Sequence, residues 1–337
     1  MKMATGFLGA QVPEPQLTVA DDGTLLYMPT TERANERLVW ATPDGVERDA
    51  LTLTGVSDGF SLSPDENRIA IALRHMQQSL RDSLPGVDVW IIDLRTGART
   101  QLTNGGQNIR PTWLPGGERV LFSGNGGLYE RRADASSPIE RVVSDSVLTF
   151  NKIAEGRWVN AAQFIVRSYG GMLGHPVSRD IFLYDMKAAA RGALALRRVV
   201  AGPADETNPR LSPDGRWLAY GSEENGAPEV YLMSFPDGNV RLKVSEGGGN
   251  RAQWSPDGRS LYYRANDGVL TVATVKTAPT LSVENRHDVR NVPEHFTDMD
   301  YDIARDGRIL ALRGSDAAVQ LVLVRNWFED LKRSAGK

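Results

Sequence analysis

The chain has 337 residues, of which 41% are hydrophobic and 24% are charged, a composition typical of a folded globular protein rather than of a disordered chain. Its formal net charge is −3 and its basic residues are scattered, which argues against a nucleic acid partner. It contains no cysteine, which excludes disulfides and cysteine-ligated metals, and it has no apolar run of about 20 residues, so we expect no membrane insertion of this chain.

The first predicted elements are two short strands around a turn, in VADDGTLLYM at 19–28. The same pattern recurs along the chain, with turn positions at 22, 65, 116, 214, 257 and 306 and a degenerate copy, WVNAAQFIVR, around 161. Two copies, LSPDGRWLAY at 211–220 and WSPDGRSLYY at 254–263, are nearly identical. Pro-Asp-Gly favours a tight turn because Pro fixes φ, Asp accepts hydrogen bonds from nearby backbone N–H groups, and Gly adopts a positive φ. We therefore interpret these Asp residues as parts of turns rather than as catalytic groups.

A second pair of strands follows each turn, as in DVWIIDLRTG at 88–97 and EVYLMSFPDG at 229–238. Four strands repeated every 43 to 53 residues are typical of a β-propeller. We predict an all-β fold with one propeller domain over 17–334. Its seven four-stranded antiparallel blades are expected at about 17–58, 59–107, 108–150, 151–206, 207–249, 250–291 and 292–334.

Two features of this architecture are left open by the sequence. Six blades are the alternative, because the block from 151 to 206 lacks the turn motif. The last repeat shows no clear fourth strand, so the N-terminal segment 1–16 is a candidate for the strand that closes the ring and protects its edges.

The turns and their downstream strands resemble the TolB-like, WD-repeat-like β-propellers of bacterial proteins. The stretch from about 204 to 328, which includes ETNPRLSPDGRWLAY and YDIARDGRILAL, resembles the propeller found C-terminal to membrane-anchored, eukaryotic-like serine/threonine kinases. Gly-rich loop, HRD and DFG kinase motifs are absent from the chain. The resemblance implies a sensor or interaction module of such a kinase, or a free-standing relative. The first would be extracytoplasmic and the second soluble.

Two long insertions are expected on one face of the propeller. RHMQQSLRDSLPGVD at 74–88 and RSYGGMLGHPVSRD at 167–180 both join the second strand of a blade to the third, and such connections emerge opposite the SPDG turns. Their mixture of Met, Leu, Tyr, Arg and His suits a ligand or partner surface, although a solvated excursion is the alternative. The candidate side chains are Arg74, His75, Arg81, Tyr169, His175 and Arg179.

Aligning the blades gives a second candidate site, at the mouth of the channel. The residues three positions before the last apolar residue of each first strand should form a ring on the long-loop face. The predicted members of this ring are Gln16, Gly59, Arg110, Glu155, Asn208, Arg251 and Asp300, and the candidate ligand-binding residues among them are Arg110, Glu155, Asn208, Arg251 and Asp300. They either pair with one another across blades or form a polar site for a carboxylate, sugar or peptide end.

No cofactor is expected. DMDYD places Asp298, Asp300 and Asp302 at alternating positions, for which a polar strand face is the first interpretation and a calcium ion the alternative. The predicted function is a monomeric, non-catalytic module that binds a protein, a peptide or a small ligand. A propeller enzyme of the lyase or hydrolase type, with a polar and metal-assisted site at the channel, is the alternative, because this fold also carries enzymes.

Overall fold

The computed structural model describes most of the chain. The described residues are 17–20, 24–27, 36–74, 86–144, 153–160, 162–168, 179–193, 195–200, 202–293, 301–314 and 322–324. They fall into two compact units, Glu36–Gly314 and a second unit that combines Met1–Asn35 with Ser315–Lys337. No helix of the described part is long and apolar enough to cross a membrane.

The unit Glu36–Gly314 is built from four-stranded antiparallel sheets, which we number as blades in chain order. Blade 1 consists of β5 (Val56–Leu62), β6 (Arg68–Arg74), β7 (Val87–Asp93) and β8 (Arg99–Gln101). Blade 2 consists of β9 (Ile109–Trp113), β10 (Arg119–Gly124), β11 (Gly127–Arg132) and β12 (Glu140–Ser144). Blade 3 consists of β13 (Ile153–Asn160), β14 (Gln163–Ser168), β15 (Ile181–Asp185) and β16 (Leu196–Val200), with the short helix α1 (Met186–Ala190) after β15.

The other three blades follow the same plan. Blade 4 consists of β17 (Glu206–Leu211), β18 (Trp217–Ser222), β19 (Glu229–Ser234) and β20 (Arg241–Lys243). Blade 5 consists of β21 (Asn250–Trp254), β22 (Ser260–Arg264), β23 (Leu270–Lys276) and β24 (Ser282–Val289). Blade 6 combines β25 (Tyr301–Ile303) and β26 (Ile309–Arg313) with β3 (Glu36–Ala41) and β4 (Glu47–Leu53).

The other unit holds one three-stranded antiparallel sheet. Its strands are β1 (Leu17–Val19), β2 (Leu25–Tyr27) and β27 (Val322–Val324), with β2 in the middle. The turn motif at 19–28 therefore joins β1 to β2 as the sequence predicts, but the third strand of this sheet comes from the C-terminal end of the chain.

The prediction of an all-β propeller with four-stranded antiparallel blades is confirmed, but the prediction of seven blades is wrong, because the described residues form six four-stranded blades. The first turn motif, at 19–28, is not part of a four-stranded blade, because β1 and β2 belong to the three-stranded sheet. Instead β3 pairs with β26, in a register that sets Ala41 opposite Ile309. A repeated turn identifies two adjacent strands, whereas the number of blades depends on which distant strands close the ring.

The block from 151 to 206, whose missing turn motif had suggested six blades, forms a complete blade. In the closing blade the third and fourth positions are occupied by β3 and β4. The segment 1–16, the candidate for the closing strand, lies outside the described residues.

Blades are held together by apolar side chains packed between neighbouring sheets. Between blades 4 and 5, for example, Leu232 and Val244 share one buried cluster with Trp254 and Leu261. Between blades 6 and 1, Leu38 of β3 is fully buried in a cluster with Phe60. Because strand side chains alternate between two faces, each blade packs on both neighbours. The strands of the closing blade thus belong to the same core as the rest of the ring.

The Pro-Asp-Gly turns are built by local hydrogen bonds. In blade 4, the Ser212 hydroxyl donates to Asp214 Oδ1 at 2.6 Å, and Asp214 Oδ1 accepts the Arg216 N–H at 3.1 Å. Gly215 has a φ of +70°. The hydrogen bond from Ser255 is the largest influence on Asp257 of blade 5 and lowers the pKa of its carboxyl. The carboxylates of Asp214 and Asp257 therefore accept hydrogen bonds that stabilise their own turns.

Candidate functional site

The first strand of each blade is innermost and lines the channel, and two sets of its residues form the candidate site. The mouth ring is the part of the predicted set that falls in the six blades, with Gly59 of blade 1 as its apolar member; Gln16 lies outside the described residues. The channel tier lies two residues further along each strand and consists of Ser61, Thr112, Arg157, Arg210, Gln253 and Asp302.

The mouth ring has an unusual backbone. Arg110, Asn208 and Arg251 have φ values of +53°, +49° and +54°, and Gly59 has a φ of +82°. In each of these four blades the pairing between the first and second strands shifts register at the ring residue. A left-handed backbone is unfavourable for residues with a Cβ. The blade alignment thus identified positions that share one conformation, which the sequence alone did not predict.

Some residues of the mouth ring make contacts that stabilise the fold. Arg110 Nε lies 2.8 Å from Asp58 Oδ2, which joins blade 2 to blade 1. Asn208 is 5% exposed, and its Oδ1 accepts no hydrogen bond from the described residues. The Arg251 carbonyl accepts a hydrogen bond from the Tyr301 hydroxyl at 2.6 Å. Glu155 is described only by its backbone in β13, and Asp300 lies outside the described residues.

Two of the predicted loop residues are described. Arg74 ends β6 and is half-buried. Arg179 is held against blade 4, because its backbone N–H donates to Asp205 Oδ1 at 2.9 Å and its Nε lies 3.4 Å from Asp205 Oδ2. His75, Arg81, Tyr169 and His175 lie outside the described residues.

Asp302 of the predicted calcium cluster belongs to the channel tier. Its Oδ2 accepts a hydrogen bond from the Leu62 N–H of blade 1 at 2.9 Å. Its Oδ1 accepts one from the N–H of the next residue, Ile303, at 2.9 Å. Burial raises the pKa of this carboxyl, although these hydrogen bonds and the charges of Arg210 and Arg157 act in the opposite direction.

Asp298 and Asp300 lie outside the described residues, so the calcium alternative stays a prediction. Within the part of the chain that the structure describes, no three His, Asp or Glu side chains are grouped as a metal site would require.

Glu206, a buried acid of blade 4 with a raised pKa, is a candidate functional residue that was not predicted from the sequence. Glu206 begins β17, is 3% exposed, and accepts a hydrogen bond from the Ser222 hydroxyl through Oε1 at 3.2 Å. Its Oε2 has no hydrogen-bond partner among the described residues. Burial raises the pKa of this carboxyl to about 7, and the negative charges of Glu224 and Asp180 act in the same direction.

A polar network lies beside Glu206 in the same blade. Arg241 Nε donates to the Tyr220 hydroxyl at 2.7 Å, and another guanidinium nitrogen of Arg241 lies 2.9 Å from Glu224 Oε1. Desolvation raises the pKa of Tyr220 to about 12. The charge of Arg241 lowers the pKa of Glu206, so it moderates the effect of burial. No sequence motif predicts this network, because its residues come together only when the strands of the blade pair.

Two surface clefts, of about 420 and 460 Å³, lie away from the channel. The first is lined by residues of blade 5 such as Asp267 and Asp288, and the second by Glu47 and Arg313 of blade 6 together with Asn291. Arg313 and Glu47 form an ion pair within the second cleft. Neither cleft contains a predicted site residue.

No protein-family model matches the chain. Over 130 residues it is 33% identical to the uncharacterized peptidase YuxL of Bacillus subtilis. The match covers 37% of this chain and 18% of that protein. The chain thus spans less than a fifth of the length of that relative, which is a much longer protein.

Solved structures share the fold over most of the chain. A putative TolB from Agrobacterium tumefaciens aligns with a TM-score of 0.61 and 14% identity, over 84% of this chain and 99% of that one. The tricorn protease aligns with a TM-score of 0.55 and 14% identity, over 86% of this chain and 27% of that one. At such identities the likeness concerns the fold alone. The chain therefore has a TolB-like β-propeller fold.

Proposed function

We propose that this chain is a non-catalytic propeller module that binds a protein, a peptide or a small ligand on its long-loop face, as the sensor or interaction part of a bacterial signalling kinase. The observation that carries the binding function is the mouth ring. Three blades place a polar side chain, Arg110, Asn208 or Arg251, on a left-handed backbone at the same position.

The conformation of the ring supports a role for its side chains. A left-handed backbone costs an ordinary residue roughly 1–2 kcal/mol, and blade 1 fills the equivalent position with Gly59. Arginine at such positions is worse for stability than glycine would be, whereas asparagine adopts this conformation more readily than most residues. Backbone strain of this kind concentrates at binding sites, where the surrounding structure holds the residue in place.

The binding function is tested with a displayed library of random peptides selected on the whole protein. Affinities of the selected peptides are measured by calorimetry for the wild type, for Arg251→Ala and for Arg110→Ala. The matched control is Arg259→Ala, in the exposed turn of the same blade as Arg251. We expect a loss of about tenfold or more with either ring variant, as for an anchoring arginine, and none with the control. Peptides that bind all four proteins equally would refute a site at the mouth.

The kinase association rests on the resemblance of the stretch from 204 to 328 and is tested separately. The full-length gene product should carry a kinase domain followed by an apolar helix of about 20 residues upstream of this chain. A gene that encodes neither would make the module a free-standing binding protein.

An enzyme is the second candidate function, because Glu206 is a buried carboxyl whose pKa is raised to about 7. A carboxyl with such a pKa suits general acid–base catalysis at neutral pH, and perturbed pKa values cluster at active sites. The protein is assayed against lactones, esters and uronate-containing sugars. In an enzyme of this type, Glu206→Gln lowers the rate by about 100-fold or more, whereas the exposed control Glu284→Gln retains it. Equal rates for Glu206→Gln and wild type would exclude this candidate.

A further inference from the structure

Glu206 lies among acidic side chains where blade 4 meets the end of the long insertion in blade 3. Asp205 precedes it in the chain, and the negative charges of Asp180 and Glu224 act on its carboxyl. Its backbone N–H donates to the Arg179 carbonyl at 2.7 Å. Because β17 begins at Glu206, on the side opposite its SPDG turn, the carboxyl belongs to the long-loop face.

Each acidic neighbour of Glu206 has an arginine partner. The ion pairs are Glu224 with Arg241 at 2.9 Å, Asp180 with Arg198 at 3.2 Å and Asp205 with Arg179 at 3.4 Å. Within the described part of the chain Glu206 has no such partner, since its Oε1 accepts the Ser222 hydroxyl and its Oε2 accepts no hydrogen bond. The charge of Arg241 acts on Glu206, but that guanidinium is engaged by Glu224 and by the Tyr220 hydroxyl. Glu206 is therefore the one acid of this group without an ion pair.

Burial increases the importance of the missing counter-charge. Glu206 is 3% exposed, and a carboxylate withdrawn from water is costly unless a positive group or several N–H donors compensate for it. In the absence of such a partner the carboxyl retains a proton more strongly, and its pKa rises to about 7. A ligand with a positive group would supply the partner and favour the ionised carboxyl.

Space for a small group lies beside this carboxyl. A methyl group placed on the half-buried Gly202 would lie 3.8 Å from Glu206 Oε1 and 3.8 Å from the Ala204 nitrogen. Apart from the neighbours of Gly202 in the chain, no other atom of the described residues lies within 4 Å of that point. An ammonium group is about as large as a methyl group, and a shift of about 1 Å towards the carboxyl would bring it to hydrogen-bond distance.

We propose that Glu206 binds the ammonium group of an alkylamine, such as a lysine side chain, beside Gly202 at the start of β17. One ammonium group matches one unpaired carboxyl in charge and fits the space in size. A calcium ion is a poorer match, because it needs six or more oxygen ligands and the described residues offer no group of three acids or histidines. This inference rests on the proposed function and deepens it by naming a chemical group of the ligand bound on the long-loop face.

Butylamine is the probe, and its affinity for the whole protein is measured by calorimetry at low ionic strength, where charge interactions are least screened. We expect binding to be tenfold or more tighter at about pH 8 than at about pH 5.5, because Glu206 ionises between these values while the amine stays protonated. Butanol, which has the same alkyl chain without the charge, should not bind. Equal affinity for butylamine at both pH values would contradict the proposal.

Glu206→Gln removes the charge and keeps the size of the side chain. This variant should bind butylamine at least tenfold more weakly than the wild type at about pH 8, and equally at both pH values. The matched control is Glu284→Gln, which removes an exposed carboxylate of blade 5 and should behave as the wild type does. Wild-type affinity in Glu206→Gln would overturn the proposal.

Gly202→Leu fills the space and leaves the carboxyl in place. It should weaken butylamine binding by tenfold or more at about pH 8, whereas the control Gly116→Leu, at a position where an added Cβ meets no atom within 4 Å, should not. Full binding by a folded Gly202→Leu variant would place the ammonium group elsewhere and refute the assignment.

Two further ligands distinguish a lysine side chain from an amino terminus as the source of the ammonium group. Nα-acetyl-lysine amide should bind as tightly as butylamine, and glycinamide should bind less well, because its ammonium group is followed at once by a bulky amide. Tighter binding of glycinamide would overturn the assignment to a side chain. If butylamine does not bind while selected peptides still require Arg251, this inference fails and the proposed function stands.

Discussion

Arg110 Nε and Asp58 Oδ2 lie 2.8 Å apart, and this ion pair ties blade 2 to blade 1 at the channel mouth. The Arg110 side chain is 9% exposed and the Asp58 side chain is 19% exposed, so water screens the pair little. Arg110 therefore both joins two blades at the mouth and belongs to the ring that is proposed to contact a ligand there. A variant of Arg110 is therefore expected to change both ligand binding and the free energy of unfolding, so other variants are needed to measure each effect by itself.

Asp58→Asn should destabilise the protein by about 2 kcal/mol, because it leaves the buried Arg110 guanidinium with less compensating charge. The free energy of unfolding is measured by urea denaturation. Asp49→Asn is the matched control, since Asp49 pairs with Arg37 at the surface, where an ion pair contributes less than about 1 kcal/mol. Equal losses in the two variants would mean that the mouth pair is no more important than a surface pair.

Glu206 should make stability depend on pH. Its pKa is raised from 4.5 to about 7 in the folded protein, so between these values the folded state retains a proton that the unfolded state has released. Stability is highest below pH 4.5 with respect to this group and falls as pH rises to about 7, by about 3 kcal/mol. Glu206→Gln should remove this part of the decline. Melting temperatures across pH 5 to 8 that fall equally in variant and wild type would contradict the assignment.

Arg251→Gly should separate stability from binding. Glycine adopts the φ of +54° found at this position without the strain that a Cβ causes, so the free energy of unfolding should be retained or rise by up to about 1 kcal/mol. Binding of selected peptides should still be lost with the side chain. Ala252→Gly, at the next and buried position, is the control and should lower stability by about 1 kcal/mol. A loss of stability in Arg251→Gly as large as in the control would argue against strain at the ring.

Leu38→Ala tests ring closure by β3. Leu38 is fully buried between blades 6 and 1, so its truncation should cost about 3 kcal/mol through lost burial and an unfilled cavity. Leu323→Ala in β27, where the side chain is 56% exposed, should change stability by less than about 0.5 kcal/mol. If chemical denaturation gives similar small changes for both, β3 is not a core strand of the propeller.

The sequence by itself determined the features that local contacts build. Ser212, Asp214 and Gly215 form their turn with one another, and because a repeat copies such a turn from blade to blade, the all-β propeller follows from its recurrence. The same copying placed Arg110, Asn208 and Arg251 at equivalent positions, which the structure shows as one shared backbone conformation.

Only the tertiary structure decided how the ring closes and where its charges meet. Whether β3 pairs with β2 or with β26 depends on the geometry of the whole ring, and this choice makes six blades from a sequence that repeats its turn seven times. The burial of Glu206 and the hydrogen bond that Asp302 accepts from the Leu62 N–H arise likewise between distant segments. Desolvation and charge interactions depend on distance in space, so a one-dimensional pattern does not reveal them.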